Sequence, residues 1–399
     1  MGLLTPDEAW SRIAERVSPL GVESAGRREA AGRRLARDLA ATVDVPAADV
    51  SAMDGYAVAG EVRPGDVLPV AGTVAAGDPP GFELPPGTAA RIMTGAPVPR
   101  GADRVIQVER TDGGRERVFF QRGADRGENV RRRGEVLRAG DALLAAGARL
   151  TPGALALLAT HGLAEIPVHR APSVAVLTTG DEVVPPEVTP APGQLRDSHT
   201  DFLLAAGATL GLRFQSLGIA PDRVERLREM VARGLRSDVL LLCGGVSMGE
   251  FDLVEGVLAE AGCEAVFDAV AIQPGKPLVF AVHPGGFVFG LPGNPASVMV
   301  SFWLFVRPAL RRLMGFDDSW WGSALKGTLA APLLAAGPRD RFLPAEAEVR
   351  DGELRVTPLP PKGSHDLAAF GRGNALVRAR AGAAPAGAGA GCEVLVLAS

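Results

Sequence analysis

Four glycine-containing loops in the middle of the sequence carry residue types suited to binding a phosphorylated ligand. They read Thr179-Gly180-Asp181-Glu182, Gly244-Gly245-Val246-Ser247-Met248-Gly249, Pro274-Gly275-Lys276-Pro277 and Leu291-Pro292-Gly293-Asn294-Pro295. Glycine lets a ligand approach the backbone closely, and bare N–H groups in such loops bind anions. Ser247 adds a hydroxyl and Lys276 a positive charge, and the last loop precedes a predicted helix whose N-terminus favours phosphate. The loops therefore predict a pocket for an anionic ligand.

Carboxylates lie beside these loops, at Asp181, Glu182, Glu250 and Asp252. Carboxylates repel a phosphate unless a cation lies between them, and Mg²⁺ typically binds one or two carboxylates together with phosphate oxygens. We therefore expect Mg²⁺ as a cofactor, with Asp181, Glu182 and Asp252 as candidate ligands. The alternative for each carboxylate is a helix N-terminal charge favoured by the helix dipole.

A second set of polar residues lies nearer the N-terminus, in three strings that are rich in turn-forming residues. The strings are 51–57 (SAMDGYA), 91–97 (RIMTGAP) and 127–135 (GENVRRRGE). Asp54 and Tyr56 flank a glycine, and Thr94 precedes one. The arginine run 131–133 is either a solvated face or a site for a small oxyanion.

Several common enzyme classes are disfavoured by missing motifs. The sequence contains no Walker A motif, no GxGxxG dinucleotide motif, no GxSxG elbow and no HExxH zinc motif. The three cysteines, Cys243, Cys263 and Cys392, are widely spaced and form no CxxC pair. A disulfide framework and a cysteine-ligated zinc site are therefore improbable, and a reducing cytoplasm is the expected compartment.

Charge and hydropathy argue against nucleic acid and membranes as partners. The 399 residues include 42 Lys+Arg against 46 Asp+Glu, a net charge of -4, which argues against bulk nucleic-acid binding. The first residues lack the basic and apolar regions of a signal peptide. The longest nearly apolar run, Val298–Val306, is too short to span a bilayer, so no membrane partner is expected.

The elements that must position these residues can be predicted from periodicity. Thr5, Pro6 and Glu8 form a capping-box pattern that predicts a first helix. Residues 41–140 contain short β-branched stretches separated by Pro and Gly, which indicates a β-rich domain. From Ser173 strands alternate with helices, ending in a long helix predicted over Pro295–Met314, which is typical of a doubly wound α/β domain. After Ser323 the signals are those of a small all-β domain.

In this order, these motifs resemble those of the MoeA/gephyrin family, the molybdopterin molybdenumtransferases. The strings that carry the resemblance are SAMDGYAV, RIMTGAPVP, GENVRRRGE, LTTGDEV, GGVSMGEFD, QPGKP, LPGNPASV and PKGSHDL, and they span nearly the whole chain. The resemblance implies insertion of molybdenum from molybdate into adenylylated molybdopterin, with release of AMP and assistance from Mg²⁺. It also implies an elongated homodimer with its site in a cleft between subunits.

The resemblance further implies a multidomain α/β protein. Residues 1–40 and 141–170 would form a split helical domain, 41–140 a β-rich domain, 171–322 a doubly wound α/β molybdopterin-binding domain, and 323–399 a small C-terminal β-barrel. Further candidate partners are the upstream molybdopterin adenylyltransferase and the recipient molybdoenzymes.

Individual site residues follow from the matched motifs. The expected catalytic residues are Asp54, Thr94, Glu182 and Lys276. The residues expected to bind adenylylated molybdopterin are Gly180, Asp181, Asp222, Gly244, Gly245, Ser247, Pro274, Gly275, Pro292, Gly293 and Asn294. The residues expected to bind molybdate are Arg131, Arg339 and Ser364, of which Arg339 corresponds to an arginine that precedes an aromatic residue of the last domain.

The sequence departs from the family pattern at three places. Val136 stands where the family often has an acidic residue, with Glu135 as a possible substitute; His199 stands where asparagine is common, and Gln273 where some members are basic. The alternatives that remain are a molybdopterin adenylyltransferase, a nucleotide or pyridine-compound hydrolase with a similar α/β domain, and a scaffold of the gephyrin type. The β-rich domain with Asp54 and Thr94 favours the insertion enzyme, because an adenylyltransferase would not need it.

Overall fold

The protein divides into two compact units in a computed structural model that describes residues 3–245 and 253–397. Unit 1 comprises residues 1–24, 32–36 and 167–399, and unit 2 comprises residues 25–31 and 37–166. The chain therefore leaves and re-enters unit 1 near its N-terminus. The four-domain division expected from the sequence stays a prediction.

The helices in the described residues are short. They are α1 (Pro6–Arg16), α2 (Pro152–Thr160), α3 (His199–Thr209), α4 (Val224–Gly234), α5 (Leu253–Glu260), α6 (Pro295–Ser301), α7 (Arg307–Leu313) and α8 (Leu367–Arg372), with a 3₁₀ turn at Val108–Arg110. The predicted capping box of α1 is present, since the Thr5 hydroxyl accepts from the Glu8 N–H and the Glu8 carboxylate accepts from the Thr5 N–H.

The strands of the first half of the chain lie largely in unit 2. They are β1 (Val22–Gly26), β2 (Leu39–Ala40), β3 (Val50–Ser51), β4 (Gly55–Val58), β5 (Val67–Val74), β6 (Ala89–Ile92), β7 (Arg104–Gln107), β8 (Arg117–Phe119), β9 (Val130–Arg131), β10 (Ala142–Leu144) and β11 (Glu165–His169). Five of them form one sheet in the order β7-β4-β6-β5-β8, which confirms a β-rich region here. The sequence reading missed β6, because its alanines give no β-branched signal.

The strands of the second half belong to unit 1. They are β12 (Val174–Thr179), β13 (Val183–Val184), β14 (Leu195–Arg196), β15 (Gln215–Ala220), β16 (Val239–Cys243), β17 (Glu264–Ala269), β18 (Ile272–Gln273), β19 (Pro277–His283), β20 (Gly286–Leu291), β21 (Leu325–Leu329), β22 (Asp340–Arg350), β23 (Glu353–Pro358), β24 (Ala375–Ala379) and β25 (Gly391–Val396).

A six-stranded sheet with helices on both faces forms the centre of unit 1, as the sequence predicts. Its order is β15-β12-β16-β20-β19-β17, with β15, β12, β16 and β20 mutually parallel. Alternate residues of β12 face opposite cores: Val176 packs with α3 and α6, and Leu177 packs with α4 and α5. Burial on both faces explains why β12 and β16 read as continuous apolar runs. The parallel strands end at one edge, which gathers the loops that follow them.

The helix predicted over Pro295–Met314 is interrupted by a π-helical turn at Phe302–Val306, between α6 and α7. Pro308 has no N–H to donate to the carbonyl of Leu304, and such a missing bond favours a local change in helical winding. The predicted helix is therefore correct in extent but not in regularity. The described residues include no helix long and apolar enough to cross a bilayer.

The C-terminal strands close into a barrel, in agreement with the sequence. Five strands pair in the cycle β22-β23-β21-β25-β24, and β24 returns to β22. The short strand β18 adds to β22 in parallel, with Ile272 opposite Asp340 and Gln273 opposite Arg341. This pairing attaches the barrel to the loop that carries Lys276. Helix α8, which the sequence reading missed, begins where the Asp366 carboxylate accepts from the Ala369 N–H.

Candidate functional site

The glycine loops converge on a cleft of about 710 Å³ at the carboxyl edge of the central sheet. Loops that follow β12, β16 and β20 contribute to it, together with the segment after β15. The predicted site residues that line the cleft are Gly180, Glu182, Asp222, Gly244, Gly245, Gly293 and Asn294. Pro292, also predicted, is buried beneath the last loop. Three of the four glycine loops therefore meet at this cleft, and the fourth, residues 274–277, lines a different pocket.

Two of the cleft glycines are required by the backbone itself. Gly244 and Gly245 have φ angles of 89° and 61°, in the region that side chains disfavour. A Cβ at Gly244 would lie 2.9 Å from the carbonyl oxygen of Thr179, and one at Gly245 would lie 2.7 Å from a methyl group of Val254. The N–H of Gly244 donates to the carbonyl of Leu291. These contacts hold the β12, β16 and β20 loops close together.

Carboxylates surround one end of the cleft. The Asp222 N–H donates to Oδ1 of Asp181 at 3.1 Å, and Asp222 lies two residues before α4 rather than within it. Burial raises the pKa of Asp222, and the negative charges of Asp181 and Glu182 raise it further. Asp181 itself lines a neighbouring pocket of about 540 Å³. Asp181 and Glu182, which follow β12, thus line two different cavities.

The predicted metal site is only partly described. Glu182 lies in the cleft, whereas Asp252 falls outside the described residues, as do Ser247 and Glu250. Within residues 3–245 and 253–397, no group of three or more His, Cys, Asp or Glu side chains is arranged to hold a metal ion. The donor chemistry nevertheless fits Mg²⁺, because carboxylate oxygens are present, and the pKa of Asp222 is raised first by burial and then by the negative charges of Asp181 and Glu182.

A second pocket of about 300 Å³ adjoins the cleft, and Asn294 lines both cavities. Residues from three separate predicted motifs meet in it: Pro274, Gly275, Lys276, Asn294, Arg339 and Ser364. The carbonyl of Ser364 accepts the N–H of Ala296 at the start of α6, which fixes the C-terminal loop against the α/β core. Lys276, expected to be catalytic, thus lies with the residues expected to bind molybdate.

The second pocket is positively charged. Its lining includes Lys276, Arg339 and Arg341, and no Asp or Glu is among the described residues that line it. Arg339 donates to the carbonyl of Ile272 at 3.2 Å. None of these three cations forms an ion pair with a described carboxylate. An arrangement of this kind favours an oxyanion. We call it the cation pocket.

The sequence reading missed Arg341 and Ser297, both of which line the cation pocket. Arg341 is the second residue of β22 and lies two positions after the candidate Arg339, which precedes the strand, so strand periodicity gave no signal for it. Ser297 follows LPGNP by two residues and lies in the first turn of α6. Its position could have been found from the predicted helix start.

His199 is a further polar residue of the cleft that was noted only as a departure from the family pattern. Its side chain is 92% removed from solvent at the start of α3, and its Nε2 has no partner among the described residues. Burial lowers the pKa of His199, so the ring is neutral at pH 7. His199 therefore adds a polar surface to the cleft without adding charge.

Of the two titratable side chains in the string 51–57, Asp54 is exposed to solvent and Tyr56 is buried. A Cβ at Gly55 would lie 2.0 Å from the carbonyl oxygen of Ile106, so glycine is needed for strand packing. Tyr56 is fully buried and donates its hydroxyl to the carbonyl of Gly114. Asp54 is exposed, and its Oδ1 accepts both the N–H and the hydroxyl of Thr94 at 2.7 Å. These bonds lower the pKa of Asp54, so it is ionised at neutral pH.

The three N-terminal motifs meet around the buried Ser51. The N–H of Ser51 donates to the carbonyl of Ala96, and the N–H of Ala52 donates to the carbonyl of Asn129. Strand β9 pairs with β3, which places Arg131 opposite Val50. The strings that carry Asp54, Thr94 and Arg131 are therefore joined within unit 2, and the catalytic role expected of Asp54 and Thr94 and the molybdate role expected of Arg131 stay predictions.

Two of the three arginines at positions 131–133 are already paired with aspartates. Arg132 pairs with Asp49 at 2.7 Å and Arg133 pairs with Asp44, whereas Arg131 forms no ion pair in the described part of the chain. Glu135 accepts the N–H of Arg132 in a turn, and Val136 is 67% exposed. The oxyanion role expected of Arg131 is therefore compatible with its surroundings, and Glu135 is engaged as a turn acceptor.

Three family models match successive parts of this chain. Residues 4–162 match the MoeA N-terminal region (domain I and II), residues 175–312 a probable molybdopterin binding domain, and residues 326–397 the MoeA C-terminal region (domain IV).

Curated proteins are similar over most of their length. The chain is 35% identical over 384 residues to the molybdopterin molybdenumtransferase of Haemophilus influenzae, covering 94% of each chain. It is 37% identical to the molybdopterin molybdenumtransferase of a Nostoc species, covering 80% of this chain and 76% of the relative. Among solved structures, the molybdopterin biosynthesis MoeA protein of Pyrococcus horikoshii is 32% identical, with a TM-score of 0.83 over 100% of both chains.

Proposed function

We propose that this chain, which belongs to the MoeA family of molybdopterin molybdenumtransferases, is a transferase that inserts molybdenum from molybdate into adenylylated molybdopterin. In this reaction an oxygen from water or molybdate binds phosphorus as the phosphoanhydride bond breaks and AMP leaves, and the two dithiolene sulfurs replace molybdate oxygens, with any oxygen not transferred to phosphorus leaving as water. The observation that carries the proposal is the junction of the glycine-loop cleft and the cation pocket at Asn294. One cavity suits a phosphorylated heterocycle and the other a small oxyanion.

In the cleft, the backbone would bind the pyrophosphate of adenylylated molybdopterin. The loops after β16 and β20 line the cleft at Gly245 and Gly293, where the absence of a side chain lets a ligand approach the backbone N–H groups. The N-terminus of α6 adds a partial positive charge beside Asn294. The neutral ring of His199 and apolar residues such as Leu195 provide a surface for the rest of the ligand.

Asp181, Glu182 and, outside the described residues, Asp252 would hold Mg²⁺, with Asp222 hydrogen-bonded to Asp181 beside them. When bound, the ion would neutralise charge that develops on the phosphate oxygens as AMP leaves. The raised pKa of Asp222 supports this role, since a carboxylate that is destabilised by its neighbours gains from a nearby cation.

In the cation pocket, Lys276, Arg339 and Ser364 would bind molybdate. Ammonium, guanidinium and hydroxyl groups donate to oxyanions, and charge-assisted bonds of this kind are roughly twice as strong as neutral ones. Holding molybdate next to the cleft converts an encounter between two dilute reactants into a step between neighbours. Such positioning accounts for a large share of rate enhancement in reactions that join two substrates.

Asp54, Thr94 and Arg131 would act on the same reactants from unit 2. The ionised carboxylate of Asp54, oriented by Thr94, can accept a proton or contact a cation. We propose that the working protein is a homodimer in which Asp54 of one subunit serves the cation pocket of the other. A two-fold operation presents both patches reciprocally and so makes two equivalent sites.

The cytoplasm is the proposed compartment, supported by three free thiols at Cys243, Cys263 and Cys392. The upstream molybdopterin adenylyltransferase and the recipient molybdoenzymes are proposed as transient partners, because they supply the substrate and take the product.

The test measures AMP released from adenylylated molybdopterin, with and without molybdate. We expect release that depends on the protein and rises with molybdate, accompanied by formation of molybdenum cofactor. Production of adenylylated molybdopterin from ATP and molybdopterin would instead indicate an adenylyltransferase. No turnover by a folded protein that still binds molybdopterin would indicate a scaffold.

A further inference from the structure

Arg341 lies in the cation pocket although no motif pointed to it. It is the second residue of β22 and lies directly opposite Gln273 of β18 in the parallel pairing. Its guanidinium donates to the carbonyl of Ala335 at 3.4 Å, which anchors one side of the group. The same pocket contains Lys276 and Arg339. Three cations from two adjacent segments thus share a cavity of about 300 Å³.

No acid among the described residues that line the pocket balances the charge of these cations. The acid adjacent in sequence to both arginines is Asp340, which is buried, accepts a charge-assisted bond from Arg378 at 2.8 Å and accepts the N–H of Ala381. Alternation along β22 directs Asp340 to the face opposite that of Arg341. Like charges that share a site repel one another, and a bound anion relieves that repulsion.

We infer that Arg341 is a third cationic ligand of the oxyanion, and that it provides the positive charge that the neutral amide of Gln273 lacks. A guanidinium offers parallel N–H donors that match two oxygens of a tetrahedral dianion. The inference rests on the proposed function, because it takes the oxyanion to be the molybdate of that reaction. It adds a residue whose main effect is on affinity and selectivity for a dianion.

The experiment titrates the full-length protein with molybdate alone, by calorimetry, before any assay with adenylylated molybdopterin. Arg341→Gln removes the charge while keeping a polar side chain, and we expect molybdate to bind about tenfold more weakly or worse. Arg350→Gln is the matched control, since Arg350 is an exposed arginine of the same strand that does not line the pocket. The control is expected to change the affinity by less than about twofold.

A kinetic readout separates a binding role from a structural one. Arg341→Gln should raise the KM for molybdate by a similar factor and leave kcat at saturating molybdate unchanged, because uniform binding energy is lost. Arg341→Lys should recover part of the affinity, since it restores charge but not the paired donors. A loss that lysine does not relieve at all, or a loss of kcat with unchanged KM, would overturn the inference.

The outcomes distinguish the inference from the function on which it rests. If the wild-type protein binds no molybdate and releases no AMP, the proposed function fails. If the wild-type protein binds molybdate and Lys276→Ala weakens binding while Arg341→Gln does not, the function stands and the inference on Arg341 is wrong. Unfolding midpoints of all variants are compared first, so that a misfolded variant is not counted.

Discussion

The turn that carries Asp54 and the cation pocket that carries Lys276 hold their charges in different ways. Asp54 is exposed, yet Thr94 donates two hydrogen bonds to a single oxygen and lowers the pKa of the carboxyl group. Lys276, Arg339 and Arg341 have no carboxylate opposite them in the described structure. The Asp54 turn presents a negative charge that hydrogen bonds within the protein stabilise, and the cation pocket presents positive charges that no carboxylate among the described residues balances.

This difference has a consequence for mutations. The protein's own N–H and hydroxyl groups already orient Asp54, so its loss should affect the chemical step more than substrate binding. The cations of the pocket form no ion pair with a carboxylate in the described part of the chain, so their loss should affect binding first. The following predictions use this contrast, in order of decreasing expected effect.

Asp54→Ala should reduce molybdenum insertion by at least about a hundredfold, the scale on which a positioned acid or base contributes. The unfolding midpoint should change little, because only the bonds to Thr94 are lost at a solvent-exposed turn. Cofactor formation and the unfolding midpoint are the two measurements.

Asp78→Ala is the matched control for Asp54. Asp78 is also an exposed aspartate in a turn of unit 2, and its carboxylate accepts the N–H of Ala75 at 2.7 Å. Its loss should leave activity near that of the wild type. Equal activity of both variants would remove Asp54 from the reaction.

Lys276→Ala should weaken the binding of the anionic reactants by about 1.5–3 kcal/mol, the range for hydrogen bonds to charged groups. Lys276→Arg should not fully restore it, because the guanidinium is bulkier and directs its donors differently. Lys326→Ala, at an exposed lysine of β21 in the barrel, is the control. Titration curves for molybdate and for adenylylated molybdopterin that match the wild type would contradict a binding role for Lys276.

The ionised carboxylates of Asp54 and Asp222 should have opposite effects on folding stability. The folded-state pKa of Asp54 is lowered, so its ionised form adds stability that is complete above the ordinary value of 3.8 and disappears as pH falls through the lowered pKa. The folded-state pKa of Asp222 is raised, so its ionised form opposes folding as pH rises through that pKa. At pH 7, Asp54→Asn should therefore lower the unfolding midpoint and Asp222→Asn should raise it.

Comparing the same variants between pH 7 and pH 4 sharpens this test. The decrease in unfolding midpoint caused by Asp54→Asn should stay nearly constant over this range. The increase caused by Asp222→Asn should become smaller toward pH 4. Adding Mg²⁺ should reduce the Asp222→Asn effect at pH 7 and leave the Asp54→Asn effect unchanged, if the cleft carboxylates hold the ion. If Asp222→Asn raises the unfolding midpoint by an amount that changes with neither pH nor Mg²⁺, the electrostatic account is wrong.

The smallest predicted effect is that of the Thr94 hydroxyl. Thr94→Val keeps the backbone N–H bond to Asp54 but removes the hydroxyl bond, which should cost about 1 kcal/mol or less in stability. In the assay of cofactor formation, the activity of Thr94→Val should fall only several-fold, and Thr94→Ser should restore it. A decrease as large as that of Asp54→Ala would show that Thr94 contacts the reactants directly.

The convergence of the glycine loops could be predicted because it follows from local patterns. The runs Val174–Thr179 and Val239–Cys243 are apolar enough to be buried strands, and parallel strands end at a common edge. The residues after them, including Gly180 and Gly244, must therefore meet. The same logic does not reveal that Asp181 lines a neighbouring pocket while Glu182 enters the cleft, which depends on local backbone angles.

The cation pocket was less accessible to prediction because it depends on pairing between distant segments. Gln273 and Arg341 are 68 positions apart, and the register of β18 against β22 sets their contact. No periodicity within either segment encodes that register. Lys276, Arg339 and Ser364 were named as separate candidates through resemblance, and their common location is a property of the folded chain.

The central claim is that the Asp54 turn and the cation pocket act on one set of reactants across a dimer. The most direct test mixes the inactive variants Asp54→Ala and Lys276→Ala, dissociates them, reassociates the pool and measures cofactor formation. Mixed dimers would carry one intact site and one doubly damaged site. Random mixing makes about half of the dimers mixed, so activity should return to roughly a quarter of the wild-type value. Activity that stays at the level of the two parents, while mixed dimers are shown to form, would contradict the claim and place each complete site within one chain.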